Sequence, residues 1–290
     1  MPEPVLEVRG LTKTFRVRRA DAVGREEFVA VDDVSFALAA AGSLAVVGES
    51  GSGKSTTARM IVGLERPTSG ELVVNGQVWP TARVSQRERR RRGGVVQMVF
   101  QDPYQSLDRR QRGRDAVDET LRLHAPTLDR AARKTRVDEL FDMVGLDARQ
   151  TDALPRALSG GQRQRVAIAR ALAANPHVLI LDEAVAALDV SIQAQVLNLL
   201  ADIRERTGVA YLFISHDLAV VRQLCDSVVV LHRGRVVERG EVGRVLSDPQ
   251  DDYTRRLISS IPRPGWRPRR RMSSTSDSLA PETFPSASRS

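Results

Sequence analysis

GESGSGKST, residues Gly48–Thr56, follows the apolar run Leu44-Ala45-Val46-Val47 and decides how the rest of the chain is read. It fits the pattern G-x-x-x-x-G-K-[ST], a phosphate-binding loop. The glycines let successive backbone N–H groups turn toward one polyphosphate, and the helix that starts near Lys54 points its positive dipole end at the same anion. Lys54 adds a point charge for the β and γ phosphates. The Ser55 hydroxyl is placed to ligate Mg²⁺, which neutralises charge on a transferred phosphoryl group. The competing reading is a Gly/Ser-rich loop before a helix. A buried strand ahead of the stretch and the amphipathic run Ala58, Ile61, Val62 after it favour the nucleotide reading.

The chain has 290 residues, enough for a core of about 200 to 250 residues plus a smaller lobe or tail. No apolar run approaches the roughly 18 to 20 residues of a membrane helix, and the start MPEPVLEVRG lacks a basic region followed by an apolar one. A cytosolic chain is expected, unless a partner holds it at a membrane. The lone Cys225 forms no internal disulfide and supplies no multi-cysteine metal site.

A net charge of +8 raises a nucleic-acid reading, and its location argues against it. Residues 83–92 hold six Arg against Glu88, and 263–271 hold five Arg and no acid, so these two segments account for the whole excess. Residues 83–92 hold no aromatic for base stacking, and 263–271 hold Trp266 alone. Lysine occurs only at Lys13, Lys54 and Lys134, so Lys54 stands in the loop against the composition.

Residues 5–8, 28–31, 35–38 and 44–47 read as short strands separated by a charged insertion around 18–27, which suggests an antiparallel edge beside the phosphate-loop strand. Phe15 follows the first of these and is either a base-stacking platform or a core or edge aromatic. A helix over 54–64, a turn at Pro67-Thr68-Ser69-Gly70, a strand over 71–74, a basic helical stretch over 83–92 and a strand over 95–100 follow. The segment 111–157 carries helical patterns at 115–124 and 129–144 with no strand between them, an all-helical insertion within an α/β domain.

Leu158-Ser159-Gly160-Gly161-Gln162 opens a helix to about Ala174, with Ser159 as N-cap and free N–H groups at Gly160, Gly161 and Gln162 forming a second anion site. The strand at 178–181 ends in Asp182-Glu183. An acid at the carboxyl end of a buried parallel strand holds Mg²⁺ beside a phosphate loop, and the next acid activates a water. Ala187-Leu188-Asp189 leads into a helix over 191–206, and a buried strand over 211–214 ends at Ser215-His216-Asp217. Such a strand end is where ligands collect. A hairpin over 227–239 about Arg233-Gly234 and helices at 241–247 and 251–259 precede a Pro/Arg/Ser-rich tail, 263–290, expected to be disordered.

Taken in order, GESGSGKST, a Gln before the helical insert, LSGGQ, VLILDE, ALD and SHD resemble the ATP-binding subunit of an ABC transporter over about residues 4–260. FQDPYQSL, LDVSIQAQVLNLL, GRVVERG and DPQDDYTRRL resemble the dipeptide and oligopeptide importer branch, which includes nickel importers. The resemblance implies a P-loop NTPase core with a mostly parallel sheet, an antiparallel β edge subdomain, a helical subdomain at about 102–157 and a C-terminal extension at 240–262. It also implies an ATPase that energises import of peptides from the cytoplasmic face of the membrane, with ATP and Mg²⁺. Its partners would be a second ATPase subunit in a head-to-tail dimer, two permease subunits and an extracytoplasmic solute-binding protein.

Carried over residue by residue, the resemblance assigns ATP binding to Phe15 and to Gly48, Glu49, Ser50, Gly51, Ser52, Gly53, Lys54, Ser55 and Thr56. Ser55, Gln101 and Asp182 take the metal, Glu183 is the general base, His216 contacts the γ-phosphate and Gln101 senses it. Ser159, Gly160, Gly161, Gln162 and Asp189 act across the dimer. The sequence departs from the branch at Ala184 (usually Pro), Ala186 (usually Ser) and Asp251-Asp252 (usually His-Pro). The alternatives are import of another solute such as nickel, and a soluble ATPase of the same superfamily acting on nucleic acid. The latter usually has two cassettes or zinc cysteines, against one cassette and one Cys here. An export cassette would lack the extension at 240–260.

Overall fold

Two 15-residue strands, β1 (Pro4–Arg18) and β2 (Arg25–Ala39), pair antiparallel at the start of the chain in the computed structural model, which describes residues 3–18, 25–81, 84–102, 104 and 106–260. The sequence suggests several short strands here because the pairing is interrupted. Register shifts fall between Val8 and Leu11, Leu11 and Lys13, and Lys13 and Thr14, and Gly10 and Asp33 take φ of 56° and 52°. Each bulge resets the in-out alternation that marks a strand, so one long strand looks like two. Of the charged insertion expected at 18–27, residues 25–27 belong to β2, and 19–24 lie outside the described residues.

After β3 (Ser43–Val47) and α1 (Lys54–Val62), β4 (Ser69–Val74) and the short β5 (Gln77–Trp79) join the first two strands in a four-stranded antiparallel sheet ordered β2-β1-β4-β5. The antiparallel strands thus form a sheet of their own, while β3 has parallel neighbours on both sides. The basic stretch is α2 (Gln86–Val95), capped by Ser85 Oγ, which accepts from Glu88 N at 3.2 Å; Val95 is the last residue of this helix. Arg83 lies outside the described residues.

The second sheet has β6 (Val96–Val99) at one edge. A helical segment follows it: α3 (Gly113–His124), α4 (Arg130–Met143), the single turn α5 (Ala148–Thr151), a 3₁₀ turn at Pro155–Ala157 and α6 (Gly160–Leu172). The chain then alternates strand and helix through β7 (Val178–Asp182), α7 (Val190–Thr207), β8 (Ala210–Ser215), α8 (Leu218–Leu224) and β9 (Ser227–His232). It closes with β10 (Arg235–Glu241), α9 (Val242–Ser247) and α10 (Asp252–Ser259). The order is β10-β9-β3-β8-β7-β6, parallel except for β10, which returns antiparallel through the turn at Arg233-Gly234.

Every residue of β3, β7 and β8 is buried. A parallel sheet covered on both faces needs unbroken apolar strands, which is why these segments read as Val/Ile/Leu runs. Each fully buried side chain of this kind contributes about 1.5–3 kcal/mol. Tyr211 on β8 carries a buried hydroxyl that donates to Leu200 O at 2.8 Å, tying the strand to α7. The described residues belong to one compact unit that ends at Ser260; the tail 263–290 and the last residues of the 240–262 extension lie outside them.

Candidate functional site

The carboxyl ends of β3, β7 and β8 are neighbours, because β8 lies between β3 and β7 and all three run parallel. Whatever follows these strands is therefore delivered to one edge: the loop 48–53 after β3, Glu183 after β7 and His216 after β8.

The loop is shaped by glycines that no other residue could replace without movement. Gly48 has φ 152°, and a Cβ there would lie 2.2 Å from Leu231 O and 2.7 Å from Ser52 Oγ. Gly53, the N-cap of α1, has φ 102°, and α1 has no side-chain cap, so its first N–H groups are left for an anion. Gly234 N donates to Ser52 O at 3.0 Å, bracing the loop against the β9–β10 turn. Ser52 Oγ is buried and has no hydrogen-bond partner among the described residues.

Lys54 is 5% exposed, and its Nζ donates to Gly48 O and Glu49 O, each at 2.8 Å. Burial pulls its pKa down, opposed by the charges of Glu183, Asp182 and Glu49. Ser55 Oγ donates to Asp182 Oδ1 at 3.1 Å. Asp182, 6% exposed, has its carboxyl pushed up chiefly by burial, against the pull of the Ser55 hydrogen bond and the nearby cations. A hydroxyl and a carboxylate so paired make a hard oxygen donor set. No group of three His, Cys, Asp or Glu side chains suited to a metal occurs among the described residues. A hard divalent cation here would complete its shell from phosphate oxygens and water, as Mg²⁺ does.

Glu183 takes the left-handed φ of 47°, a strained backbone for this residue, and its N–H donates to Ile214 O at 2.9 Å, extending the β7–β8 pairing by one residue. His216 Nδ1 stands 3.2 Å from Glu183 Oε1, with the His side chain 59% exposed. Asp217 is absorbed into capping α8: its Oδ1 accepts from Ala219 N at 2.9 Å and Val220 N at 3.4 Å.

A cleft of about 250 Å³ is lined by Ser50, Gly51, Gly53, Lys54, Ser55, Thr56 and Glu183 on one side and by Phe15, Phe28 and Ala30 on the other. Phe15 and Phe28 are register partners on β1 and β2, and Lys13 Nζ sits 4.7 Å from the Phe15 ring centroid. The sequence reading singles out Phe15 alone. Phe28, 52% exposed, is the residue it misses, and the cross-strand register is the signal that finds it. The lining includes none of Gln101, Ser159, Gly160, Gly161, Gln162 and Asp189. Gln101 is exposed beyond the end of β6. Ser159 caps α6 in a reciprocal box, Gln162 N to Ser159 Oγ at 3.2 Å and Ser159 N to Gln162 Oε1 at 2.8 Å, so the Gln162 N–H expected to be free for an anion is taken by the cap. Asp189 precedes α7 without a side-chain cap bond, next to Val190, which is 84% exposed.

Of the departures noted above, Ala184 is buried and Ala186 donates its N–H to Glu183 O at 3.0 Å. Asp251 caps α10, its Oδ1 accepting from Tyr253 N at 2.8 Å and Thr254 N at 3.3 Å, and Asp252 pairs with Arg255 at 2.6 Å.

Residues 31–186 match the ABC transporter family. The chain is 46% identical over 260 residues to the di/tripeptide transport ATP-binding protein DppF of Pseudomonas aeruginosa, covering 90% of this chain and 80% of that protein. It is also 46% identical over 262 residues to the glutathione import ATP-binding protein GsiA of Salmonella choleraesuis, covering 90% of this chain but only 41% of GsiA. Among solved structures, the dimeric post-hydrolysis state of the ATP-binding cassette MJ0796 bound to ADP and Pi is similar with a TM-score of 0.71 and 28% identity, over 82% of this chain and 98% of that one. The phosphate-loop edge and these likenesses agree, and the chain belongs to the ABC transporter family.

Proposed function

We propose that this chain is the ATP-hydrolysing subunit of an ABC importer for short peptides, working at the cytoplasmic face of the membrane. One observation carries the catalytic part: Lys54, Ser55, Asp182, Glu183 and His216 come together at a single sheet edge beside an aromatic-walled cleft. The peptide part is supported by relatives named for di/tripeptide and glutathione import. Among the described residues no helix is long and apolar enough to cross a membrane, and this reading assigns the translocation path to partner permeases.

In this reading Phe15 stacks the adenine, with Phe28 beside it, and the loop 48–56 wraps the phosphates. Ser55, Asp182 and Gln101 would hold Mg²⁺, which neutralises phosphate charge as the phosphoryl group transfers. Glu183 accepts the proton of the attacking water. His216 steadies that carboxylate through Nδ1 and faces the γ-phosphate. Ser159–Gln162 and Asp189 complete the site of a second subunit packed head to tail. The stretch after Gln101 and the helical subdomain at about 102–157 meet two permease subunits, and an extracytoplasmic binding protein delivers the peptide.

The test is reconstitution in liposomes with the permease pair, a second ATPase subunit and the binding protein. Di- and tripeptides are expected to stimulate ATP turnover and to accumulate inside. Stimulation by nickel and not by peptides would overturn the substrate class; nucleic-acid stimulation without permeases would overturn transport.

A further inference from the structure

Tyr253 lies far from the phosphate loop in sequence, yet its hydroxyl oxygen accepts a hydrogen bond from Glu49 N–H at 2.9 Å. The same peptide unit is held from its other side, since Gly48 O accepts from Lys54 Nζ at 2.8 Å. The Gly48–Glu49 peptide is therefore clamped between the loop lysine and a tyrosine of α10. The clamp is itself well seated. Tyr253 is buried, and its ring stacks on His232 at 3.9 Å with an interplanar angle of 6°. His232 ends β9, immediately after Leu231, whose carbonyl closes off the space beside Gly48. The start of α10 is fixed in turn by Glu238 on β10, which accepts from Gln250 N at 2.8 Å and Asp251 N at 3.2 Å.

We propose that Tyr253 is a positioning residue for nucleotide binding, fixing the Gly48–Glu49 peptide and with it the point from which Lys54 works, so that α10 sets the affinity of the phosphate loop. A loop whose carbonyls already hold the lysine loses less freedom when a polyphosphate arrives. Without the hydroxyl, Glu49 N–H loses its partner and the peptide is held from the Lys54 side alone. The inference rests on the phosphate-loop reading above. It goes beyond it by making the C-terminal extension part of the nucleotide site.

The experiment measures binding of fluorescent N-methylanthraniloyl-ADP, the KM and kcat for ATP with Mg²⁺, and the thermal midpoint. The variants are Tyr253→Phe, Arg255→Ala and Lys54→Ala. Tyr253→Phe keeps the ring on His232 and removes only the oxygen. Arg255→Ala removes surface bonds to Pro249 O and Gln250 O on the same helix and leaves the Tyr253 hydroxyl on Glu49 N–H. For the loss of one hydrogen bond, Tyr253→Phe is expected to weaken ADP and raise KM by about 3- to 10-fold, with kcat changed by less than about 2-fold. Arg255→Ala should leave both unchanged. ADP affinity of Tyr253→Phe equal to wild type, or an equal loss in Arg255→Ala, would overturn the proposal. Wild-type ADP binding by Lys54→Ala would instead mark the phosphate-loop reading as the failure.

Discussion

Gly161→Ala should destabilise the protein although alanine favours a helix over glycine by about 1 kcal/mol. Gly161 is the second residue of α6 and has no positive φ, so its backbone accepts a side chain. Space is what it lacks, because a Cβ there would lie 2.4 Å from Cγ2 of Ile192 at the start of α7. Overpacking of this kind costs about 1–3 kcal/mol, which exceeds the propensity gain over most of its range. Ile192→Ala removes the offending methyl and, at a half-buried site, costs about 1 kcal/mol by itself. In the double variant the clash is gone and the helix gain remains, so it should be no less stable than Ile192→Ala alone. The assay is a double-mutant cycle by urea denaturation, with an expected coupling of about 1–3 kcal/mol between the sites. Stability of Gly161→Ala at or above wild type, or strict additivity, would refute the packing of the Ser159–Gln162 segment against the Asp189 segment of the same chain. That packing matters because the proposed two-subunit site needs both segments on one surface.

Other outcomes follow from the same contacts. Because burial raises the Asp182 carboxyl, its charged form is disfavoured in the folded chain, and Asp182→Asn should raise the thermal midpoint near neutral pH while abolishing turnover. The folded pKa lies above the unfolded one, so wild type gains stability as pH falls through it and the gap to Asp182→Asn should close; a gap that widens toward acid would refute the sign. Phe15→Ala should raise the KM for ATP about 5- to 100-fold through lost stacking, and Phe28→Ala by less, both with kcat preserved; steady-state kinetics decide. Deleting residues 263–290 should leave ATP turnover unchanged, since every cleft-lining residue lies within the unit that ends at Ser260.

How far the sequence spoke for itself depended on whether a feature was local. The loop 48–56, the acids after β7 and the N-cap at Ser159 were legible because each is a short pattern whose chemistry is complete in a few residues. The two long strands were not, since bulges near Gly10 and Asp33 break the alternation that identifies them. Phe28 joins Phe15 only through the β1–β2 register, and Tyr253 reaches Glu49 only because β9 and α10 fold back beside the loop. Neither contact has a sequence-local signal. Asp251 shows the reverse case: a departure from the importer pattern that proves to be a sound helix cap.

The central claim is that Glu183 removes the proton from water at an ATP shared by two subunits, and Glu183→Gln tests it most directly. The substitution keeps size and hydrogen-bonding capacity while removing the base, so kcat should fall by about 10²- to 10⁴-fold with ATP affinity within a few-fold of wild type. With hydrolysis blocked, sedimentation velocity with candidate partner subunits should show association with ATP and Mg²⁺ and none with ADP. Normal hydrolysis by Glu183→Gln would contradict its role as the base, and a stalled variant that never associates with ATP would contradict the two-subunit site.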